Sequence, residues 1–110
     1  MAANNIHTSA CVSPKAELEG VTVGPHAVIE DGVQVGSGTV IGAGAILRAG
    51  TALGPDNRIG EHAVLGGLPQ DLGFKPATPS GVRIGARNTI REMVTINRAT
   101  RENGFTEVGD

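Results

Sequence analysis

The sequence predicts an all-β solenoid, a parallel β-helix in which a short strand and a turn recur every six residues. Three observations predict it. Glycine supplies 17 of the 110 residues, while the only aromatics are two Phe, with no Trp and no Tyr. Aliphatic residues return at every sixth position: Val23, Ile29, Val35, Ile41, Leu47, Leu53, Ile59 and Leu65 are eight hits without a miss. Four positions behind each aliphatic runs a second column of small or β-branched residues: Ala10, Ala16, Ala27, Val33, Thr39, Ala45, Thr51, Ala63, Val94 and Thr100. A period of six matches neither the 3.6 of a helix nor the 2 of a simple strand; it is the signature of a β-helix of hexapeptide repeats.

Each feature has a place in such a coil. Three hexads, 18 residues, close one triangular turn, with the aliphatic residue pointing inward onto its equivalents above and below. Coils stack at the inter-strand spacing of about 4.8 Å. The second column must be small because the triangle is narrow, and the same narrowness excludes aromatic rings. Asn57 and Asn88 fall in that column, where either an exposed corner or an internal amide ladder has a use for them. The glycine directly after many aliphatics, as in Val23-Gly24, Val35-Gly36 and Ile41-Gly42, is expected to supply backbone conformations that a side chain would forbid at a tight corner. The frame extends upstream through Ile6, Val12 and Leu18, with one residue missing before Val23, and resumes downstream at Ile84, Ile90 and Ile96. A β-sandwich would space its strands at about 8–12 residues, and a helix would not survive glycine in every turn.

Composition excludes several functions. Nine basic against eleven acidic residues give a net charge of −2, and no aromatic platform exists, so nucleic acid is not an expected partner. The single cysteine, Cys11, permits neither an internal disulfide nor a multi-cysteine zinc site; it is expected as a small apolar filler. Met1–Asn5 has no signal-peptide character, and no apolar run reaches about 18 residues, so no transmembrane segment is expected and the cytoplasm is the expected location.

The frame breaks twice, at about 66–83 and about 97–107. The first break holds three of the six prolines, and in the second the in-frame position is Glu102, which cannot join an apolar column. With coils starting at Ile6, Val23, Ile41, Ile59 and Ile84, both excursions leave from the third side and lie one coil apart. Each carries one phenylalanine, Phe74 or Phe105. Interruptions of a regular scaffold are where function concentrates.

The residues around these breaks carry a resemblance. Pro69-Gln70-Asp71-Leu72-Gly73-Phe74-Lys75, then Ile84 to Thr100 with its Ile-Arg-Glu-Met-Val-Thr-Ile-Asn-Arg core, and the opening Ile6 to Ala10, resemble the acyl-carrier-protein-dependent UDP-N-acetylglucosamine O-acyltransferases. The resemblance covers nearly the whole chain. It implies left-handed coils, an exception to the usual crossover hand, and an activity: acyl transfer from acyl-acyl carrier protein to the 3-hydroxyl of UDP-N-acetylglucosamine, the first step of lipid A biosynthesis. It also implies a homotrimer in the full-length form. Asp71 matches a substrate-contacting aspartate, and Gln70 beside it is placed to contact substrate across a subunit boundary. The family has Lys directly after Leu72; here that position is Gly73, and Lys75, two residues on, lies on the same side of an extended chain. Pro76-Ala77 stands where the family has Gly-Glu, and Ala99 where it has Gly.

Such chemistry needs a general base and an oxyanion donor. His7 lies near the open end of the helix, and His26 and His62 share a column two coils apart with Gly44 between them, too far for one metal. They read as surface residues, so no catalytic residue, metal or cofactor is assigned. Arg87, Arg91, Arg98 and Glu92 read as a surface ion-pair cluster. Val108-Gly109-Asp110 opens a new hexad at the end of the chain, and the family's catalytic histidine lies further on. The sequence therefore reads as one hexapeptide-repeat domain, 1–110, incomplete at its C-terminus: a truncated N-terminal portion of such an acyltransferase, expected to be inactive alone. The binding candidates are Gln70, Asp71 and Lys75. The alternatives are another hexapeptide-repeat transferase that uses acyl-CoA, or a non-catalytic β-helix scaffold.

Overall fold

The computed structural model describes residues 3–110. Fifteen short strands, numbered along the chain, wind into three parallel sheets of five strands each. The first sheet stacks β1 (Asn5–Ile6), β4 (Thr22–Val23), β7 (Val40–Ile41), β10 (Arg58–Ile59) and β13 (Thr89–Ile90). The second stacks β2 (Cys11–Val12), β5 (Val28–Ile29), β8 (Ile46–Leu47), β11 (Val64–Gly67) and β14 (Thr95–Asn97). The third stacks β3 (Glu17–Leu18), β6 (Gln34–Val35), β9 (Thr51–Leu53), β12 (Gly81–Ile84) and β15 (Phe105–Val108). The protein is a left-handed parallel β-helix of five triangular coils, with no helix among its described residues.

Strand alternation explains the core. The last residue of each two-residue strand points inward and the one before it points out. All eight aliphatics from Val23 to Leu65 are buried, none more than 5% exposed. Register keeps them stacked: Val23 pairs with Ile41 and Ile41 with Ile59, while Ile29 pairs with Leu47 and Leu47 with Leu65. The second column is equally buried, with Ala27, Val33, Thr39, Ala45, Asn57 and Ala63 at 0%. The end coils have a neighbour on one face only, so Ile6 is 39% exposed while Val12, Leu18, Ile96 and Val108 are half-buried.

The amides settle the open question at Asn57 and Asn88. Asn57 Nδ2 donates to the carbonyls of Gly54 and Gly85, each at 2.8 Å, and its Oδ1 accepts from Asn88 N at 2.8 Å. Below it, Thr39 Oγ1 donates to Gly54 O at 3.1 Å and accepts from Asn57 N at 3.2 Å. Above it, Asn88 Nδ2 donates to Gly109 O at 2.6 Å. This is an internal ladder bonding one coil to the next along a single corner. Asn4 and Val21 extend it downward: Asn4 Oδ1 accepts from Val21 N at 3.0 Å. Val21, 1% exposed, also explains the short step between Leu18 and Val23, because it fills the second column where the frame slips and Gly20, at φ 65°, makes the turn.

Several expectations are corrected. Among the glycines that directly follow a column aliphatic, left-handed backbone falls on Gly66 (φ 86°), where the frame breaks; within the regular coils it falls two residues later, as at His26, Gly44, His62 and Met93 on one corner, with φ of 60°, 69°, 59° and 64°. The following glycines are required for another reason. A Cβ on Gly36 would lie 2.5 Å from Pro55 N, and one on Gly60 2.5 Å from Glu92 N, so the backbone of the next coil occupies the space. Ile84 does not begin a coil: it pairs with Leu53 and closes the fourth coil after Ile59 and Leu65. Cys11 is exposed, because it holds the outward position of β2. Thr100 is exposed in a loop, and the half-buried Thr106, two residues before Val108, holds the second-column position instead. Phe105 is the first residue of β15 rather than part of a loop.

Candidate functional site

Residues 68–80 run between β11 and β12, and residues 98–104 between β14 and β15. Both segments therefore leave from the corner between the second and third sheets, one coil apart. They touch. Asn103 N donates to Pro79 O at 2.6 Å, Ser80 Oγ to Ala99 O at 2.6 Å, and Gly81 N to Gly104 O at 3.2 Å. Arg98 reaches from the upper segment into the lower, its Nη2 donating to Pro76 O at 2.9 Å and its guanidinium lying 5.5 Å from the Phe74 ring centroid. Arg98 thus leaves the ion-pair cluster expected for it. Of that cluster Arg91 pairs with Glu92 at 3.2 Å, and Arg87 pairs with Asp110 at 3.1 Å instead. The Glu92 backbone amide and the Arg91 guanidinium hold the Glu92 carboxyl below the usual carboxylate range.

The lower segment consists of two tight turns. Asp71 opens the first: its carbonyl accepts from Phe74 N at 3.0 Å and its Oδ1 from Gly73 N at 2.9 Å. That side-chain bond is an Asx turn, which explains why aspartate suits the position locally. One of roughly four lone-pair sites of the carboxylate is used this way; the residue is exposed. Lys75 opens the second turn, its carbonyl accepting from Thr78 N at 2.8 Å. The chain between Gly73 and Lys75 is consequently folded, and the expected placement of both on one side of an extended segment is corrected. Gln70, Asp71 and Lys75 all present exposed side chains on this segment, and between them Leu72 stands fully exposed at 108%.

The histidines lie elsewhere. His7, His26 and His62 are all exposed. His26 and His62 occupy the same left-handed corner with Gly44 between them, and a side chain on Gly44 would run into the His62 ring. No trio of His, Cys, Asp or Glu side chains gathers as metal ligands do among the described residues. What sequence reasoning missed was Arg98. Its signal was positional: it is the first residue after β14, where the coil breaks and a side chain can turn back onto the loop below.

A regular hexad prism with one ornamented corner defines the class of protein. The family model described as bacterial transferase hexapeptide (six repeats) matches residues 18–49 and 32–67, within the regular coils of the hexapeptide-repeat β-helix. Within the class its relatives are specific. It is 52% identical over 109 residues to an acyl-[acyl-carrier-protein]–UDP-N-acetylglucosamine O-acyltransferase of Paraburkholderia xenovorans, covering 97% of this chain and 41% of that one. The corresponding protein of Thermodesulfovibrio yellowstonii is 41% identical, covering 97% of this chain and 42% of that one. The solved UDP-N-acetylglucosamine acyltransferase from Campylobacter jejuni superposes with a TM-score of 0.88 at 37% identity, over 96% of this chain and 41% of that one. The chain is a relative of the UDP-N-acetylglucosamine O-acyltransferases and spans about two fifths of their length.

Proposed function

We propose that the chain forms part of an acyltransferase that moves an acyl group from acyl carrier protein to the 3-hydroxyl of UDP-N-acetylglucosamine, the opening step of lipid A biosynthesis, in the cytoplasm. The observation that carries this reading is the Asp71 loop: an exposed carboxylate braced by its own turn, on a segment laid against the next coil, within a sequence matching these acyltransferases over 97% of its length. In this reading Asp71 accepts hydrogen bonds from sugar hydroxyls, Gln70 contacts substrate across a subunit boundary, and Lys75 uses its long side chain to reach a sugar or phosphate oxygen. The chain's histidines lie away from that loop, and no residue within the chain is assigned as the general base. No helix among the described residues is long and apolar enough to cross a membrane.

We further propose that the active form is a homotrimer. The outward residues of the second sheet stack in register as Cys11, Val28, Ile46, Val64 and Thr95. Three of these five are branched aliphatics, whereas the outward row of the third sheet is Glu17, Gln34, Ala52, Arg83 and Glu107. An apolar stripe on one face of a solenoid suits burial against another copy.

The test is transfer itself, in the longest form of the protein its gene encodes. Ester formation on UDP-N-acetylglucosamine with acyl-acyl carrier protein as donor is the expected outcome; turnover with acyl-CoA alone, or no turnover, would overturn the reading. Charged hydrogen bonds of the kind assigned to Asp71 contribute about 1.5–3 kcal/mol. Asp71→Ala is therefore expected to lower kcat/KM by roughly ten- to a hundred-fold while leaving the unfolding midpoint nearly unchanged.

A further inference from the structure

Arg98 is bound on three sides. Its backbone N–H donates to Gly67 O at 3.0 Å, its Nη2 donates to Pro76 O at 2.9 Å, and its guanidinium stands 5.5 Å from the Phe74 ring centroid. The residue is only half exposed, and its Nε is shut away from water with no acceptor. A free surface arginine would turn that N–H to solvent, since an unmet buried donor is costly. The side chain is therefore held where it is by what it packs against. It packs against the segment that bears Gln70, Asp71 and Lys75. Few other devices hold that segment. Its own bonds are two turn closures and the Asx bond, all between residues three or fewer apart, and the ties from Asn103 and Ser80 lie at its far end.

We propose that Arg98 is the positioning residue of the 68–80 segment: it clamps the junction of the two turns, Phe74 to Pro76, from the coil above and so sets where Asp71 and Lys75 stand. The role needs a guanidinium. A planar fork can lie near an aromatic face and donate sideways to a carbonyl together, which a lysine ammonium cannot do in the same geometry. This inference rests on the reading of the loop as a nucleotide-sugar site for its consequence in activity, but not for its physical content.

Amide hydrogen exchange on this 110-residue chain separates the two. In Arg98→Ala, amides of residues 70–78 should exchange roughly tenfold or more faster, while those of β11 and β12 keep their protection. Arg98→Lys should release the segment to nearly the same extent. Phe74→Ala, which removes the clamp's other half without touching the coils, should do likewise, and adding it to Arg98→Ala should bring little further change. Unaltered exchange in Arg98→Ala, or full protection restored by lysine, would overturn the proposal. In the longest encoded form, Arg98→Ala should raise KM for UDP-N-acetylglucosamine about tenfold and leave kcat within about threefold, because the positioned groups bind rather than react. A kcat loss at unchanged KM would also count against it. Absence of any acyl transfer by the unmutated protein would instead remove the reading of function, and the exchange result would still decide the role of Arg98.

Discussion

The coils from Val21 to Gly67 and the corner that carries 68–80 and 98–104 are built on opposite principles. In the coils each element repeats the one below, and a side chain's environment is set by its equivalents 18 residues away. Backbone ladders run along all three sides, and polar groups that go inside are spent within the stack, as at Thr39 and Asn57. At the corner no ladder runs: a few main-chain bonds, such as Asn103 to Pro79, are joined by bonds from side chain to main chain, Arg98 to Pro76, Ser80 to Ala99 and Asp71 to Gly73. The difference teaches where a solenoid can place chemistry. Inside the stack a functional group would have to recur or be filled; where the ladder opens, a carboxylate can be set on a turn of its own with acceptor capacity to spare.

That contrast can be broken from the coil side first. Ile41→Ala, in the middle of a column, is expected to cost about 2–5 kcal/mol, because coils above and below prevent the cavity from closing; chemical denaturation measures it. Asn57→Ala removes three hydrogen bonds at about 1 kcal/mol each, so a loss of about 3 kcal/mol is expected by the same method, and a neutral result would mean the ladder is dispensable. Two glycines sharpen the argument about corners. Gly36→Ala should cost about 1–3 kcal/mol, since its Cβ meets the backbone of Pro55. Gly32→Ala has open space around the new methyl and only the φ of +73° to oppose it, so about 1 kcal/mol is expected. Equal thermal shifts for the two would show that crowding is not the reason for glycine after the aliphatic. The smallest effect belongs to the loop. Lys75→Ala should move stability by less than about 0.5 kcal/mol, as an exposed substitution does. Its expected signature is kinetic, a raised KM for the nucleotide sugar; unchanged kinetics would return Lys75 to the status of a solvated charge.

Most of the prism was legible because burial in a β-helix depends on a position modulo six. The inward role of Leu47 and the second-column role of Ala45 need nothing but the count. Errors appeared where the count no longer determines geometry. Across 68–80 nothing in frame says how many residues are surplus, so the count alone puts Ile84 at the head of a coil, whereas it pairs with Leu53. Cys11 has the small apolar character of a filler, but it sits one residue before Val12, where alternation sends it outward. The candidate site was legible in part: Gln70, Asp71 and Lys75 drew attention through a motif, whereas the turns at Asp71 and Lys75 and the clamp by Arg98 carried no periodic signal.

By itself the sequence determined the period, the inward columns, the absence of aromatics from the core and the two interruptions. All are local or periodic properties, and each coil meets the same steric demand as its neighbour. The tertiary structure decided what depends on contacts between coils. It showed that glycine follows the aliphatic because another backbone passes within reach. It turned Asn57 inward to a carbonyl partner 28 residues away, at Gly85. It also laid Arg98 on a turn 22 residues earlier in the chain. These pairings form only once the insertions are wound to their full length and the corners come into register, and no count along the chain contains that information.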